Sequence, residues 1–283
     1  MPVYETPAPI VADINVSAAH VELVASDRDT TSVEITPTTP GRSGDVALLR
    51  EATVAFEDNR LRIRVPPKNK LFGPNGSVDV RVELPAGSRA EIESGYGSVR
   101  VQGELGAARI VAKYGNVTAD RVGYLDLKAP YGEADIADVD GELEVTAGHG
   151  QVRIGRVAGA ARIRGSHGAV TLGRAEGDVE VATSGKFTIE QALGDVTARS
   201  AHGAIRVLDA DGGILRLENA HAEIEVGVPF GVAAWVDAAS AHGAVRNELT
   251  PGPEASDTDR TVQLHLRSDW GDVLIRRALR RDA

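Results

Sequence analysis

Short runs of alternating apolar and polar residues recur along this chain, and a glycine announces each. Glu142-Leu143-Glu144-Val145 and Asp178-Val179-Glu180-Val181 are two of them. A period of two over four or five residues predicts a β-strand with one buried face, and the glycine predicts a turn. The runs fall in two registers. In the first, Gly97, Gly115, Gly132, Gly150, Gly168, Gly185 and Gly203 follow one another at steps of 17 or 18 residues. The second sits half a period away, at Gly106, Gly123, Gly141, Gly159, Gly177, Gly194, Gly213 and Gly231. Each repeat of about 18 residues therefore holds two short strands.

A strand this short cannot bury its apolar edge alone. Stacking repeat on repeat at roughly 4.8 Å pairs every strand with its equivalents above and below. The sequence accordingly predicts an all-β fold, a single-stranded parallel β-solenoid (β-helix) with coils of about 18 residues. One inward column is expected to read Val99, Val117, Ala134, Val152, Val170, Phe187, Ile205, Ile224, Val245, Val273. The opposite column reads Ile110, Leu127, Val145, Ile163, Val181, Ala198, Leu217. Small residues, Ser94, Ala112, Ala129, Ala147, Gly165, Ala182 and Ser200, should line the narrow part of the coil before the corner. The outward column Arg109, Asp126, Glu144, Arg162, Glu180 largely alternates in sign, which relieves the repulsion of stacked like charges.

Residues 1–90 keep the alternation but lose the period, and Pro37, Pro40, Pro66, Pro67 and Pro85 punctuate them. They are expected to form an N-terminal β cap, because an open solenoid end exposes unpaired strand edges. Residues 91–283 are expected to form the repeat body. Val262–Leu266 and Val273–Ile275 would close its C-terminal end, and cap and body would make one continuous elongated unit.

Charge narrows the partners. A net charge of -10 over 283 residues argues against binding a nucleic-acid backbone or an anionic membrane surface, so neither is expected as a partner. The absence of cysteine excludes disulfides, thiolate metal sites and thiol nucleophiles. The first residues lack the pattern of a signal peptide and no run reaches the length of a membrane span, so a cytoplasmic protein is expected.

Three segments carry a family resemblance: Val80-Arg81-Val82-Glu83-Leu84-Pro85-Ala86-Gly87-Ser88, the Ser/Ala-His-Gly units, and Asp269-Trp270-Gly271-Asp272-Val273-Leu274-Ile275. Together they resemble the bacterial putative-adhesin family of β-strand-repeat proteins, a domain of unknown function. The resemblance spans nearly the whole chain. It implies the solenoid architecture and supplies no catalytic residue. The adhesin label itself implies an exported protein.

The corner before each glycine of the first register holds Tyr96, Tyr114, Tyr131, His149, His167, Ser184, His202, His221, His242 and Trp270. Five of the chain's seven histidines stand in this column, whose rings should stack up one edge. The ladder reads as corner packing. Its alternative reading is an imidazole stripe, His149, His167, His202, His221 and His242, that binds a transition metal or responds to pH. No carboxylate at fixed spacing completes a tetrahedral site.

A glycan-active β-helix enzyme would need long loops to wall a groove, and most coils leave no room for them. The paired acids Asp138 and Asp140, or Asp209 and Asp211, sit at Gly-rich turns and read as turn formers. The remaining candidate is the polar, Pro/Gly-rich excursion from Pro66 to Gly76, which presents Leu71 and Phe72 as an interaction tip. The expected function is a non-catalytic scaffold or adhesin-like interaction module. It would engage a protein partner, with self-association through the solenoid ends as a further possibility, and no cofactor is implied. The alternative is a metal- or pH-responsive protein built on the His ladder.

Overall fold

The computed structural model describes residues 2–66, 76–250 and 260–278. The chain forms two compact units, Met1–Gly141 and Glu142–Ala283. Both are built from parallel β-strands in a β-solenoid-like arrangement, two strands to a rung. Among the described residues no helix is long and apolar enough to cross a membrane.

In the first unit, β1 (Val3–Glu5), β2 (Val11–Ser26) and β3 (Thr30–Pro37) precede a nine-residue helix, α1 (Ser43–Glu51). Then come β4 (Thr53–Glu57), β5 (Arg60–Val65), β6 (Val78–Pro85), β7 (Arg89–Tyr96), β8 (Val99–Leu105) and β9 (Ala107–Tyr114). β10 (Val117–Val122), β11 (Leu125–Ala129) and β12 (Ala134–Val139) follow. β2 supplies a whole rung by itself. Its first half lies between β5 and β7, with Ile14 opposite Ile63 and Ile92. Its second half lies between β6 and β8, with Val21 opposite Val80 and Val99. These apolar residues are buried, and the ladders continue through Ile110 to Leu127 and through Val117 to Ala134.

Antiparallel strands cover the outer side of the β5–β6 rung. β3 pairs with β6, β1 with β3, and β4 with β5 through a hairpin turned by Asp58 and Asn59. Both turn residues have positive φ, which short polar side chains tolerate. α1 packs on β3, β5 and β6 and buries Leu48 among them. The sequence pattern did not announce this helix. Its buried Asp45 ties two loops together: the carboxylate accepts from the backbone N–H of Ser77 at 3.0 Å and of Thr39 at 2.9 Å. Those two donors, Ser77 foremost, hold its carboxyl below the ordinary value of 3.8.

The second unit holds β13 (Leu143–Ala147), β14 (Val152–Val157), β15 (Ala161–Gly165), β16 (Val170–Ala175), β17 (Val179–Thr183), β18 (Phe187–Ala192) and β19 (Val196–Ser200). β20 (Ile205–Val207), β21 (Gly213–Asn219), β22 (Ile224–Val228), β23 (Val232–Ser240), β24 (Val245–Asn247), β25 (Arg260–Ser268) and β26 (Val273–Arg277) complete it. Val152 faces Val170, Val170 faces Phe187, Phe187 faces Ile205 and Ile205 faces Ile224, all buried as the alternation predicts. Outside, Arg162 lies between Glu144 at 3.8 Å and Glu180 at 3.7 Å, so the alternating charges do pair.

The last rungs correct the expected order. Ile224 faces Val273, and Val245 faces Val273 from the other side. Likewise β25 lies between β21 and β23. Among the described residues, the β25–β26 rung is thus the penultimate rung of the stack and the β23–β24 rung is outermost. The inward residues explain the choice. β25 and β26 bring Val262, Leu264, Leu266, Val273 and Ile275, all fully buried. β23 and β24 bring Ala234, Val236, Ala238, Val245 and Asn247 to the corresponding places. Exposing the smaller set costs less apolar surface, and Val245 is left 43% exposed.

A second correction concerns the small-residue column. Thr183, opposite Ser200, occupies the place expected for Ala182, while Ala182 is exposed. The parity slips because this corner is one residue shorter than its neighbours.

Candidate functional site

The corner between the two sheets is where the chain concentrates its rings, and hydroxyls and an amide build it. In unit two, Ser200 Oγ accepts from the N–H of Gly203 and donates to the carbonyl of Gly185 in the adjacent rung. Asn219 accepts from the N–H of Ala222 and donates to Gly203 O at 2.8 Å. Ser268 does the same between Gly271 and Ala222, and Ser240 between Gly243 and Gly271. Each clamp fixes its own turn and ties it to the next, so in these four rungs the ring residue in between is held at a constant place. The signal was present in the sequence as a Ser or Asn three residues before the corner Gly or Ala.

The corner glycines answer a close approach. A Cβ on Gly168 would lie 1.8 Å from the carbonyl oxygen of Gly150, and one on Gly115 would lie 1.8 Å from that of Gly97. These two stacked corners therefore leave no room for a Cβ at the glycine and direct the bulk one residue earlier, outward.

The rings stack as expected within each unit. Tyr96 and Tyr114 lie 4.9 Å apart, and Tyr114 and Tyr131 5.0 Å apart, with planes within 8°. In the second unit His149 stacks on His167 and His202 on His221, each pair at 5.1 Å. All the histidines of the column are exposed. The expected neighbour of His221, His242, is not there. Trp270 takes that rung, its backbone N–H donating to Ala220 O, and His242 stacks on Trp270 at 4.0 Å. The column order is therefore His202, His221, Trp270, His242.

This geometry bears on the metal reading. A ring nitrogen's lone pair lies in the ring plane, so parallel rings direct their lone pairs side by side and not toward one shared point. The planes of the two His pairs differ by only 5° and 8°. Among the described residues no group of three or more His, Asp or Glu is placed to hold a metal ion.

Several corner acids serve the backbone. Asp195 Oδ1 accepts from Ile214 N–H, Asp178 Oδ1 from Asp195 N–H, and Asp272 Oδ1 from Ala244 N–H. Asp140 pairs with Arg121 and Asp211 with Arg260. Leu71 and Phe72 lie outside the described residues.

The outermost rung of the second unit carries a cluster that the repeat analysis passed over. Trp235 is 56% exposed and tilts against His265 at 5.1 Å. Asp237 bonds Arg267 at 2.6 Å and lies 3.6 Å from His265, and these two neighbours, the Arg267 hydrogen bond first, hold its carboxyl below the ordinary value. Phe230, also exposed, lies under the Arg277 guanidinium. Two large rings on one coil of a chain poor in aromatics were the available signal.

No protein-family model matches the chain, and no curated protein matches it. Among solved structures, the chain is similar to a putative adhesin from Bacteroides fragilis, with 16% identity and a TM-score of 0.47 over 77% of this chain and 95% of that one. It is similar to a putative adhesin from Parabacteroides distasonis at 15% identity and a TM-score of 0.42, over 96% of this chain and 95% of that one. For a putative adhesin from Parabacteroides merdae the values are 14% and 0.40, over 97% and 95%. No residue role is carried over from them.

Proposed function

We propose that this protein is a non-catalytic binding scaffold: a β-solenoid of about 18-residue coils, capped at its N-terminal end by β3, α1 and β4, that engages a protein partner through its ring-bearing corner. The observation that carries this reading is the Tyr96–Tyr114–Tyr131 stack, whose rings are 61%, 47% and 47% exposed. Rings held outward by a rigid corner present apolar area with polar tips at little entropic cost to a partner, a combination suited to interfaces. The β23–β24 rung, which among the described residues is paired on one side only, is the place we propose for self-association.

A pull-down from the native host tests the reading. A partner retained by the wild type and lost by the triple variant Tyr96→Ser, Tyr114→Ser, Tyr131→Ser, at an unchanged melting temperature, supports it. Equal recovery of every partner by both proteins contradicts it. A second reading, a metal- or proton-responsive protein, rests on the stacked His149–His167 and His202–His221 pairs.

A further inference from the structure

The ring column of the second unit has one interruption, and it is built differently from its neighbours. Four residues turn each of the corners after β13, β15, β19, β21, β23 and β25. Only three, Ser184-Gly185-Lys186, turn the corner after β17. Ser184, the residue before the corner glycine, stands where the other corners of this unit carry their ring, so this rung presents a serine in place of a ring. Ser184 N–H donates to Ser166 O below, and His202 N–H donates to Ser184 O above, so this is a full rung of the stack. His167 and His202 consequently flank it from the two sides, roughly 10 Å apart at two strand spacings. The ladder's own repeat is 5.1 Å. One flat ring fits between the two imidazoles at the spacing the ladder already uses.

The floor and rim of this gap are as specific as its height. Ser184, half-buried, is its floor and offers one hydroxyl. On the rungs either side, the corner residue next to the sheet is Ala169 or Ala204, while on this rung it is the exposed Lys186. Lys186 forms no ion pair with a described residue, in a chain whose arginines are largely paired with acids. Two imidazoles, a hydroxyl and an ammonium without an acidic partner thus belong to three consecutive corners of the stack.

We propose that the gap between His167 and His202 is a binding site for a small planar aromatic carboxylate. The ring stacks between the two imidazoles above Ser184, and the carboxylate pairs with the Lys186 ammonium. This site is independent of the protein-binding role proposed for the tyrosine stack.

Indole-3-acetate is a suitable probe, read by the imidazole Cε1–H signals of histidine-labelled protein at fixed, mildly alkaline pH. The expected result is a saturable upfield ring-current shift at His167 and His202, with little movement at His149 and His242. Cyclohexylacetate, with the same charge and no flat ring, leaves the signals in place. Indole, lacking the charge, gives the same pattern at weaker affinity. Inserting a histidine between Ser184 and Gly185 restores a four-residue corner and abolishes the response. Ser184→Tyr, which fills the gap from the shorter corner, abolishes it as well. Lys186→Gln weakens indole-3-acetate severalfold and leaves indole unchanged. Equal shifts at all the column histidines, a response that survives both filled variants, or no response up to the solubility limit of the probe would each overturn the proposal.

Discussion

The imidazole of His242 stacks on the indole of Trp270 at 4.0 Å, although His221 is the ring residue nearer to it in the chain. The contact exists because the β25–β26 rung is threaded inside the one before it. The first unit repeats the arrangement, since β2, its first long strand, lies inside the later β5–β6 rung. In each unit one rung is thus held between two others that are not both its neighbours in chain order, where its edges are paired above and below. Such placement guards against fraying and edge-to-edge pairing.

The parity of the core is open to a direct comparison of neighbours. Val152 is buried and Arg153 faces water. Val152→Asp leaves an uncompensated carboxylate in the stack and is expected to cost about 3 kcal/mol or more. Arg153→Asp is expected to cost less than about 0.5 kcal/mol. Chemical denaturation of the two variants measures both, and equal losses would refute the assignment.

The His pairs give a test of the metal reading. With lone pairs parallel, they offer no shared point for a cation, so zinc, nickel and copper should leave the melting temperature of chelator-treated protein unchanged. Binding to the native state would raise it by mass action. A rise abolished by His202→Ala with His221→Ala would instead establish the metal-responsive function.

Asp45 makes acid sensitivity specific. Its folded-state pKa lies below the unfolded value of 3.8, because Ser77 and Thr39 donate to the carboxylate. Its contribution is therefore present above pH 3.8 and is lost as the pH falls through the lower folded value. Asp45→Asn should lower the melting temperature at neutral pH and flatten the acid limb of the stability curve. Acid limbs that remain parallel for variant and wild type would contradict this.

Much of this was legible in the sequence, and what was not has identifiable causes. Period-two alternation between regular glycines places Val152, Val170 and Ile205 inside and Arg162 outside, because a strand's side chains have no other choice. Thr183 was misplaced because the three-residue corner at Ser184 shifts the count by one. Rung order was hidden for a different reason. Periodicity specifies what a rung contains, and it says nothing of which rung lies next to which. The small inward residues Ala234 and Ala238 and the polar Asn247 were the clue that β23 and β24 belong outermost. The α1 segment offers too short an apolar face to stand out, and its buried Asp45 looks polar until its two backbone donors are seen.

The order of rungs decides which rings of the corner touch, and it can be measured by crosslinking. The chain has no cysteine of its own. On the outward face, Glu225 is opposite Leu274, and Leu274 is opposite Arg246. Adjacent parallel strands bring Cα atoms to about 4.8 Å, within disulfide range, whereas two rungs separate them by roughly 10 Å, which is beyond it. The measurement is the yield of intramolecular disulfide in two double variants under mild oxidation. The account predicts that Glu225→Cys with Leu274→Cys crosslinks and that Glu225→Cys with Arg246→Cys does not. Crosslinking of the second pair and not the first would mean that the rungs stack in chain order, with His221 and His242 as neighbours.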